Sequence, residues 1–394
     1  MIGISKLYLG AVEPSDPLRY GRRSGDLPNA LLQFSADKKP VVVWNVTARC
    51  DLRCRHCYAA VSHASSGPEL TLEEGMSLLD DLAAFGCPVV LFSGGEPLLR
   101  PDLPDLVAYA VSVGLRAVLS TNGTRMKAGL ADRLKKAGLS YAGISLDGTR
   151  TTHDAFRRQP GAYEAALAGV RACREAGLKV GLRFTICRGN VADVPRLFDL
   201  MREEQVPRVC FYHLVYCGRG ATLAQEDLSH SEARATVDAV VDGAAAHWRA
   251  GLKTEVLTVD NHCDGPYLYL RMKREANPRA EAVMELLRMN GGNSSGVGIG
   301  CVSWDGAVYP DPFWRTRSLG NVRQQPFSSL WTDRGNAFLM LLKDKARHVT
   351  GRCAHCRFLA VCAGNLRARA EAATGDPWAS DPACYLTDTE IGLE

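Results

Sequence analysis

The sequence has no uninterrupted apolar run that approaches membrane-spanning length, so no transmembrane helix is expected. Its first residues, Met1-Ile2-Gly3-Ile4-Ser5-Lys6-Leu7-Tyr8, lack a basic start followed by a long apolar core, so no secretory signal is expected. It also has little excess of either charge. Lys and Arg number 47 and Asp and Glu 43, a formal net charge of +4. That balance suits a small acidic ligand and is no nucleic-acid footprint. These absences read as a cytoplasmic protein with neither a membrane nor a nucleic-acid partner. What remains is ordinary for a globular chain: 46% hydrophobic and 23% charged residues. A length of 394 residues allows two domains, or one large domain with an appendage.

Cysteine is plentiful, with 14 residues. Without an export signal, disulfides are disfavoured and metal binding is favoured. The cysteines also cluster, at 50, 54 and 57 and again at 353, 356, 362 and 384. The others (87, 173, 187, 210, 217, 263 and 301) are mostly isolated and read as small buried hydrophobes. The first group has the spacing C-x3-C-x2-C and follows Val41-Val42-Val43-Trp44-Asn45-Val46, an apolar, β-branched run that reads as a buried strand. Thiolates are the usual ligands of iron–sulfur clusters. Three cysteines leave one corner of a cubane without a protein ligand, and a small molecule can react there. A structural zinc site asks for four closed ligands. His56 could complete a Cys3His set, but it lies inside the tight turn beside Cys57.

Residues 1–40 are irregular, with Pro14, Pro17, Gly21, Gly25 and Pro28, and read as an arm that packs on the main domain. Gly21-Arg22-Arg23 reads as a solvated turn. From 41 to about 214 the chain alternates. Apolar runs at 41–46, 88–92, 115–120, 141–146, 179–186 and 208–214 enclose helical patterns near 71–86, 102–113, 126–138, 162–176 and 192–205. Thr71-Leu72-Glu73-Glu74 is a capping-box start, and Gly86, Gly114, Gly138 and Gly177 fall where helices should stop. Such alternation predicts parallel strands with right-handed crossovers, an α/β fold of the incomplete (β/α)6 barrel kind. Sites in such barrels lie at the C-terminal strand ends. The polar motifs fall there: Ser93-Gly94-Gly95-Glu96-Pro97, Ser120-Thr121-Asn122-Gly123-Thr124 and Ser145-Leu146-Asp147-Gly148. Arg183 alternates with Leu182 and Phe184, so it should point into the barrel and needs a carboxylate partner, from ligand or protein.

The strand, the C-x3-C-x2-C loop with Tyr58 after it, and the Gly-Gly-Glu-Pro turn at the next strand end resemble the radical S-adenosylmethionine (SAM) family. The resemblance implies a partial (β/α)6 TIM barrel of the radical SAM type. It implies that Cys50, Cys54 and Cys57 are catalytic, holding a SAM-binding [4Fe-4S] cluster with an open iron. It assigns SAM contacts to Tyr58, Gly94, Gly95, Glu96, Pro97, Ser120, Asn122, Ser145, Asp147 and Arg183. In that assignment the Gly-Gly-Glu-Pro turn holds the methionine amino group.

Residues 221–297 read as polar, alanine-rich helices across a gap, broken by Asn261-His262-Cys263-Asp264 and by the loop Met289 to Gly296. Cys301 to Pro310 reads as a hairpin turned at Asp305-Gly306. Cys353, Cys356, Cys362 and Cys384 resemble the SPASM-type extension of radical SAM maturases. Asp311 and Leu366 stand where the fuller pattern has cysteines, so one auxiliary [4Fe-4S] cluster is implied, on Cys353, Cys356, Cys362 and Cys384. Four cysteines also suit zinc. The division expected is an arm at 1–40, a barrel at 41–220, a helical linker at 221–297 and a SPASM-like domain at 298–394.

Beyond the motifs, Phe211 to Gly220, the Gly-Gly-Asn-Ser-Ser-Gly loop at 291–296, Ser318 to Val322 and the tail Asp376 to Thr387 resemble the NirJ family of heme d1 biosynthesis and its relatives AhbC and AhbD. That resemblance implies an iron tetrapyrrole substrate and a small electron-donor protein. The expected reaction is removal of propionate side chains from 12,18-didecarboxysiroheme through a 5′-deoxyadenosyl radical. The alternatives are an AhbC-like didecarboxysiroheme deacetylase, a SPASM peptide maturase and, outside catalysis, an iron–sulfur or zinc scaffold. Substrate candidates are His213, Tyr216, Arg219, Arg157, His262, Asn293, Ser295 and Cys301. Which of His213, His262 and Cys301 meets the substrate iron stays open here.

Overall fold

The computed structural model describes residues 1–12, 39–61 and 68–393. The Gly21-Arg22-Arg23 turn, with its surrounding prolines, lies outside the described residues. The strands β1 (Ile2–Gly3), β2 (Val41–Asn45), β3 (Val89–Ser93), β4 (Arg116–Thr121), β5 (Tyr141–Ser145), β6 (Val180–Ile186), β7 (Arg208–His213) and β8 (Glu255–Val259) are followed by β9 (Ile299–Val302), β10 (Ala307–Tyr309) and β11 (Gly320–Asn321). All eleven form one sheet in the order β1-β8-β7-β6-β5-β4-β3-β2-β9-β10-β11. From β2 to β8 every neighbouring pair is parallel.

The expected strands are therefore present, each within a residue or two of its apolar run. Helices cover them in the expected intervals: α1 (Leu72–Phe85), α2 (Leu103–Ser112) and α3 (Ala128–Lys136), then, past a helix not expected, α5 (Ala162–Glu175) and α6 (Val194–Glu203). The unexpected one is α4 (Arg150–Arg157). The capping box forms at Thr71 and Glu74, and α1 stops at Gly86 in the left-handed region, φ +86°. Trp44, Phe92, Phe184 and Phe211 are fully buried in the core. Arg183, between Leu182 and Phe184, takes the opposite face and looks into the barrel, as the period of two requires.

The stretch 221–297 departs from the all-helical reading. Helices α7 (His230–Arg249), α8 (Asp264–Arg274) and α9 (Ala280–Asn290) are present, but β8 lies between α7 and α8. It extends the parallel sheet beside β7, and all its residues are buried. On its outer edge β1 pairs antiparallel, with Ile2 opposite Thr258, so the start of the chain closes that edge. On the other side β9 runs parallel to β2, and β10 returns antiparallel through the turn Ser303–Gly306, as Asp-Gly predicts. Among the described residues no helix is long and apolar enough to cross a membrane.

Candidate active site: a cysteine-lined cleft at the strand ends

The parallel strands end in a common cleft, and the chain that leaves β2 supplies one wall. Cys50, Cys54 and Cys57 all line it. The loop that carries them is fixed by backbone bonds. Gly95 N donates to Thr47 O at 2.8 Å and Glu96 N to Arg49 O at 2.7 Å. A Cβ on Gly95 would stand 2.1 Å from the Arg49 carbonyl oxygen, so only glycine lets the β3 exit lie against the cysteine loop. From the far side Arg219 Nε donates to Cys54 O at 2.8 Å and its Nη1 to Val61 O at 2.8 Å. Asp51 accepts from Asn122 Nδ2 at 2.8 Å, Thr124 Oγ1 at 2.7 Å and Arg125 Nε at 3.1 Å. Burial opposes the Asp51 carboxylate, but these three donors hold it below the usual range.

The thiols are shaped for a positive partner. Burial pushes those of Cys50 and Cys54 upward, so bare thiolates are disfavoured. Arg157 works against this at Cys54, where its Nη1 donates to Sγ at 3.3 Å. Leu52 N points at Cys50 Sγ at 3.4 Å. Arg157 in turn pairs with the fully buried Asp147, which also accepts from Thr185 N at 2.7 Å. His56 is stacked on Phe156, with ring centroids 4.5 Å apart, and burial pushes its imidazole down to about 3, so the ring is neutral.

Of the residues that the resemblance assigns to SAM, seven face the cleft. Tyr58, Gly94, Gly95, Ser120, Asn122, Ser145 and Arg183 line the cleft. Arg183 lies over the Tyr212 ring at 4.5 Å and shares the cleft with the Asp260 carboxyl, whose charge it feels. Glu96 is a correction. Fully buried, it accepts from Thr121 Oγ1 at 2.6 Å, Asn122 N at 2.8 Å and Leu98 N at 3.0 Å, and does not line the cleft. It ties the β3 and β4 exits together, with Pro97 opening the turn it caps. Asp147 is a second correction, since its carboxylate is committed to Arg157 behind the cleft wall.

The substrate candidates separate. His213 lines the cleft. Arg157 and Arg219 reach it too, but their donors hold the cysteine loop. Tyr216 turns away to Asp227 Oδ2 at 2.7 Å. Asn293, Ser295, His262 and Cys301 do not line the cleft. Ser295 Oγ donates to the buried Asp311 at 2.6 Å, and Lys345 Nζ donates to Asn293 O at 3.0 Å. Cys301 is fully buried among Val43, Tyr309 and Ile299, with Asn45 Nδ2 at 3.5 Å from its Sγ. Tyr212 lines the cleft as well, and so do Phe313 and Asp260, which were not foreseen. Asp260 sits at the end of β8, in the left-handed region at φ +66°, a conformation uncommon for a residue with a side chain. The strand that carries it was itself missed. An isolated non-glycine residue at positive φ leaves no mark in sequence.

In the C-terminal region, burial pushes the Cys362 thiol well up, and the charges of Cys384, Cys353 and Cys356 add to this. Phe358 N points at Cys356 Sγ at 3.3 Å. A fifth thiol, Cys263, lies against Cys384 and donates to Asn261 Oδ1 at 3.0 Å. Sequence spacing had left it among the isolated cysteines. Among the described residues no three His, Cys, Asp or Glu side chains converge on a point that a single ion could occupy. A cubane does not demand such convergence, because each thiolate binds a different corner.

Comparison with known proteins agrees with this geometry. Residues 44–201 match the family model of the Radical SAM superfamily, and residues 298–357 that of the SPASM iron–sulfur cluster-binding domain. The Fe-coproporphyrin III synthase of Methanosarcina barkeri is 58% identical over 395 residues, covering 100% of this chain and 99% of the relative. The chain belongs to the radical SAM enzymes. The pre-heme d1 synthase of Dinoroseobacter shibae is 44% identical, over 90% of this chain and 88% of that one. In fold the chain resembles Streptococcus suis SuiB bound to S-adenosylmethionine (TM-score 0.70, 17% identity, 89% of this chain and 78% of that one). It also resembles native anSMEcpe with bound AdoMet (TM-score 0.67, 17% identity, 90% and 96%). As a radical SAM enzyme with a SPASM domain, the protein uses SAM, a SAM-binding [4Fe-4S] cluster and an auxiliary iron–sulfur cluster.

Proposed function

We propose that the protein acts on an iron tetrapyrrole, removing acetate side chains from 12,18-didecarboxysiroheme to give Fe-coproporphyrin III. The observation that carries this reading is 58% identity along the whole chain to an Fe-coproporphyrin III synthase, against 44% to a pre-heme d1 synthase. The propionate-removing reaction implied by the resemblance to heme d1 enzymes is the second reading. The cleft supports either. Beyond the cysteine loop it offers aromatic faces at Tyr212 and Phe313, a cation at Arg183, and His213. A flat, polyanionic macrocycle complements that surface.

In this reading Cys50, Cys54 and Cys57 hold the SAM-binding cluster and Cys353, Cys356, Cys362 and Cys384 the auxiliary one, as a [4Fe-4S] cluster. When bound, the reduced first cluster and SAM supply a 5′-deoxyadenosyl radical for hydrogen abstraction. The chain's own part is placement. Arg157 neutralises charge at Cys54, and the Gly94–Gly95 turn and the Ser120–Asn122 edge shape the SAM seat. Arg183 anchors a carboxylate. A small electron-donor protein would supply reductant.

The test is anaerobic turnover of the reconstituted protein with reductant, SAM and didecarboxysiroheme, followed by mass spectrometry. The expected outcome is loss of two acetate side chains and a product that matches Fe-coproporphyrin III. Loss of two propionates would replace this reading with the second. SAM cleavage with no change in the tetrapyrrole would sink both.

A further inference from the structure

Sequence left three donors that could meet the iron of a tetrapyrrole substrate, and the structure separates them. Cys301 is enclosed in a small apolar cluster. His262 is buried, its backbone N–H donating to Asn365 Oδ1 at 2.6 Å, and its ring does not line the cleft. His213 lines the cleft at the end of β7. Its Nε2 stands 2.9 Å from Asp264 Oδ2. The other carboxylate oxygen, Oδ1, accepts from Tyr385 Oη at 2.6 Å. Asp264 is fully buried as the first residue of α8.

We propose that His213 is the axial ligand of the substrate's iron, and that Asp264 and Tyr385 hold it in that role; the proposal rests on the tetrapyrrole reading. The chemistry of the pair supports it. Both Asp264 carboxylate oxygens are engaged, Oδ1 by the Tyr385 hydroxyl at 2.6 Å and Oδ2 beside His213 Nε2 at 2.9 Å, so the carboxylate is held as an acceptor toward the ring. This geometry favours the His213 tautomer that carries its hydrogen on Nε2. In that tautomer Nδ1 is the nitrogen available to a metal, and it takes no hydrogen bond from the described residues. An imidazole whose far N–H donates to a carboxylate is the usual arrangement at metal centres. The carboxylate fixes the tautomer and ring orientation and makes the ligand more basic. A purely structural pin between β7 and α8 would need only the Asp264 bond. It would not need the imidazole on the wall of the cleft.

The anchor also points toward the second cluster. Tyr385 follows Cys384 in the chain, and Asp264 follows Cys263, whose sulfur lies against Cys384. One short chain of contacts, His213 to Asp264 to Tyr385, thus joins the cleft to the auxiliary cysteine set. The iron ligand and the auxiliary cluster are positioned by the same two segments.

The probe is Fe-coproporphyrin III, titrated anaerobically into the reconstituted full-length protein, with metal-free coproporphyrin III as control. Absorbance and resonance Raman of the ferrous complex read the ligand without turnover. The expected result is an iron–histidine stretch in the native protein. His213→Gly abolishes it and free imidazole restores it, while metal-free coproporphyrin binds both proteins alike. Asp264→Asn keeps the histidine signal at a lower frequency and weakens Fe-coproporphyrin binding by about 10- to 100-fold, leaving the metal-free control unchanged. Tyr385→Phe moves both readouts the same way by less. A native spectrum without a histidine signal, or one that His213→Gly leaves unchanged, overturns the proposal while the tetrapyrrole reading stands. Failure of both porphyrins to bind overturns both.

Discussion

At the scale of single residues, the site depends on charges that are buried and matched. Arg157 lies between Asp147 and the Cys54 sulfur, and both it and Asp147 are buried. Asp147→Asn leaves the guanidinium without a counter-ion, and breaking a buried pair in this way costs about 3–5 kcal/mol. The expected outcome is a lower denaturation midpoint in the reconstituted protein, together with loss of iron from the Cys50–Cys57 set. An unchanged midpoint would mean that Arg157 finds another partner. Asp260 carries a pH dependence. Burial first, then the Asp311 carboxylate, pushes its carboxyl from 3.8 up to about 7, against Arg369, Arg183 and the amino terminus, which lower it. Tyr212 and Cys217 also face it. The folded chain keeps a proton that the unfolded chain releases. This contribution to stability is therefore complete below the unfolded value of 3.8 and is lost as pH rises through about 7. Thermal melts between about pH 4 and about pH 7 should show this contribution falling, and Asp260→Asn should flatten that part of the slope. An identical slope in the variant would remove Asp260 from the account. Neither residue's role was legible in sequence. Asp147 sat in a polar strand-end motif that read as a ligand contact, and its partner Arg157 comes from a helix that periodicity did not reveal.

At the scale of elements, local chemistry was the most legible. The β2–β7 strands announce themselves as apolar runs, and Thr71, Glu74 and Gly86 mark both ends of α1. Two elements escaped. Glu255-Val256-Leu257-Thr258-Val259 is a short run inside helical surroundings, and its burial comes from β7 on one edge and β1 on the other. Helix α4, Arg150–Arg157, is polar and short, and it takes its place from the contacts of His153, Phe156 and Arg157. The glycine pair after β3 lies closest to the cysteine loop's own backbone. Gly95→Ala therefore acts on the loop. The added methyl collides with the Arg49 carbonyl and should cost about 1–3 kcal/mol as the loop is displaced. Iron per chain should fall by about half, with the C-terminal set still loaded. Full iron content with native stability would show that the loop yields more easily than this contact implies.

At the scale of the whole molecule, the barrel and the C-terminal region share one sheet. Ile299–Val302 pairs in parallel with Val41–Trp44, so the first barrel strand has a neighbour on each side only when the C-terminal region is present. A chain ending at residue 297 would leave the β2 edge bare beside uncovered core residues. The expected outcome is aggregation on expression, read by sedimentation and circular dichroism. A soluble monomer with native helix content would show that the barrel stands alone. The same sharing explains the division between sequence and structure. Sequence determined what short-range chemistry dictates: the strand–helix alternation, the spacing of the two cysteine sets, and the kinship those spacings carry. Only the tertiary structure decided which motif residues face the cleft, because alternation and spacing do not say whether a polar group meets a ligand or another buried group. Glu96, Asp147, Tyr216 and Cys301 were turned toward protein partners, whereas His213 reached the wall with a carboxylate behind it. That pairing joins residues 51 positions apart and a tyrosine 121 positions beyond, a separation over which no local pattern operates.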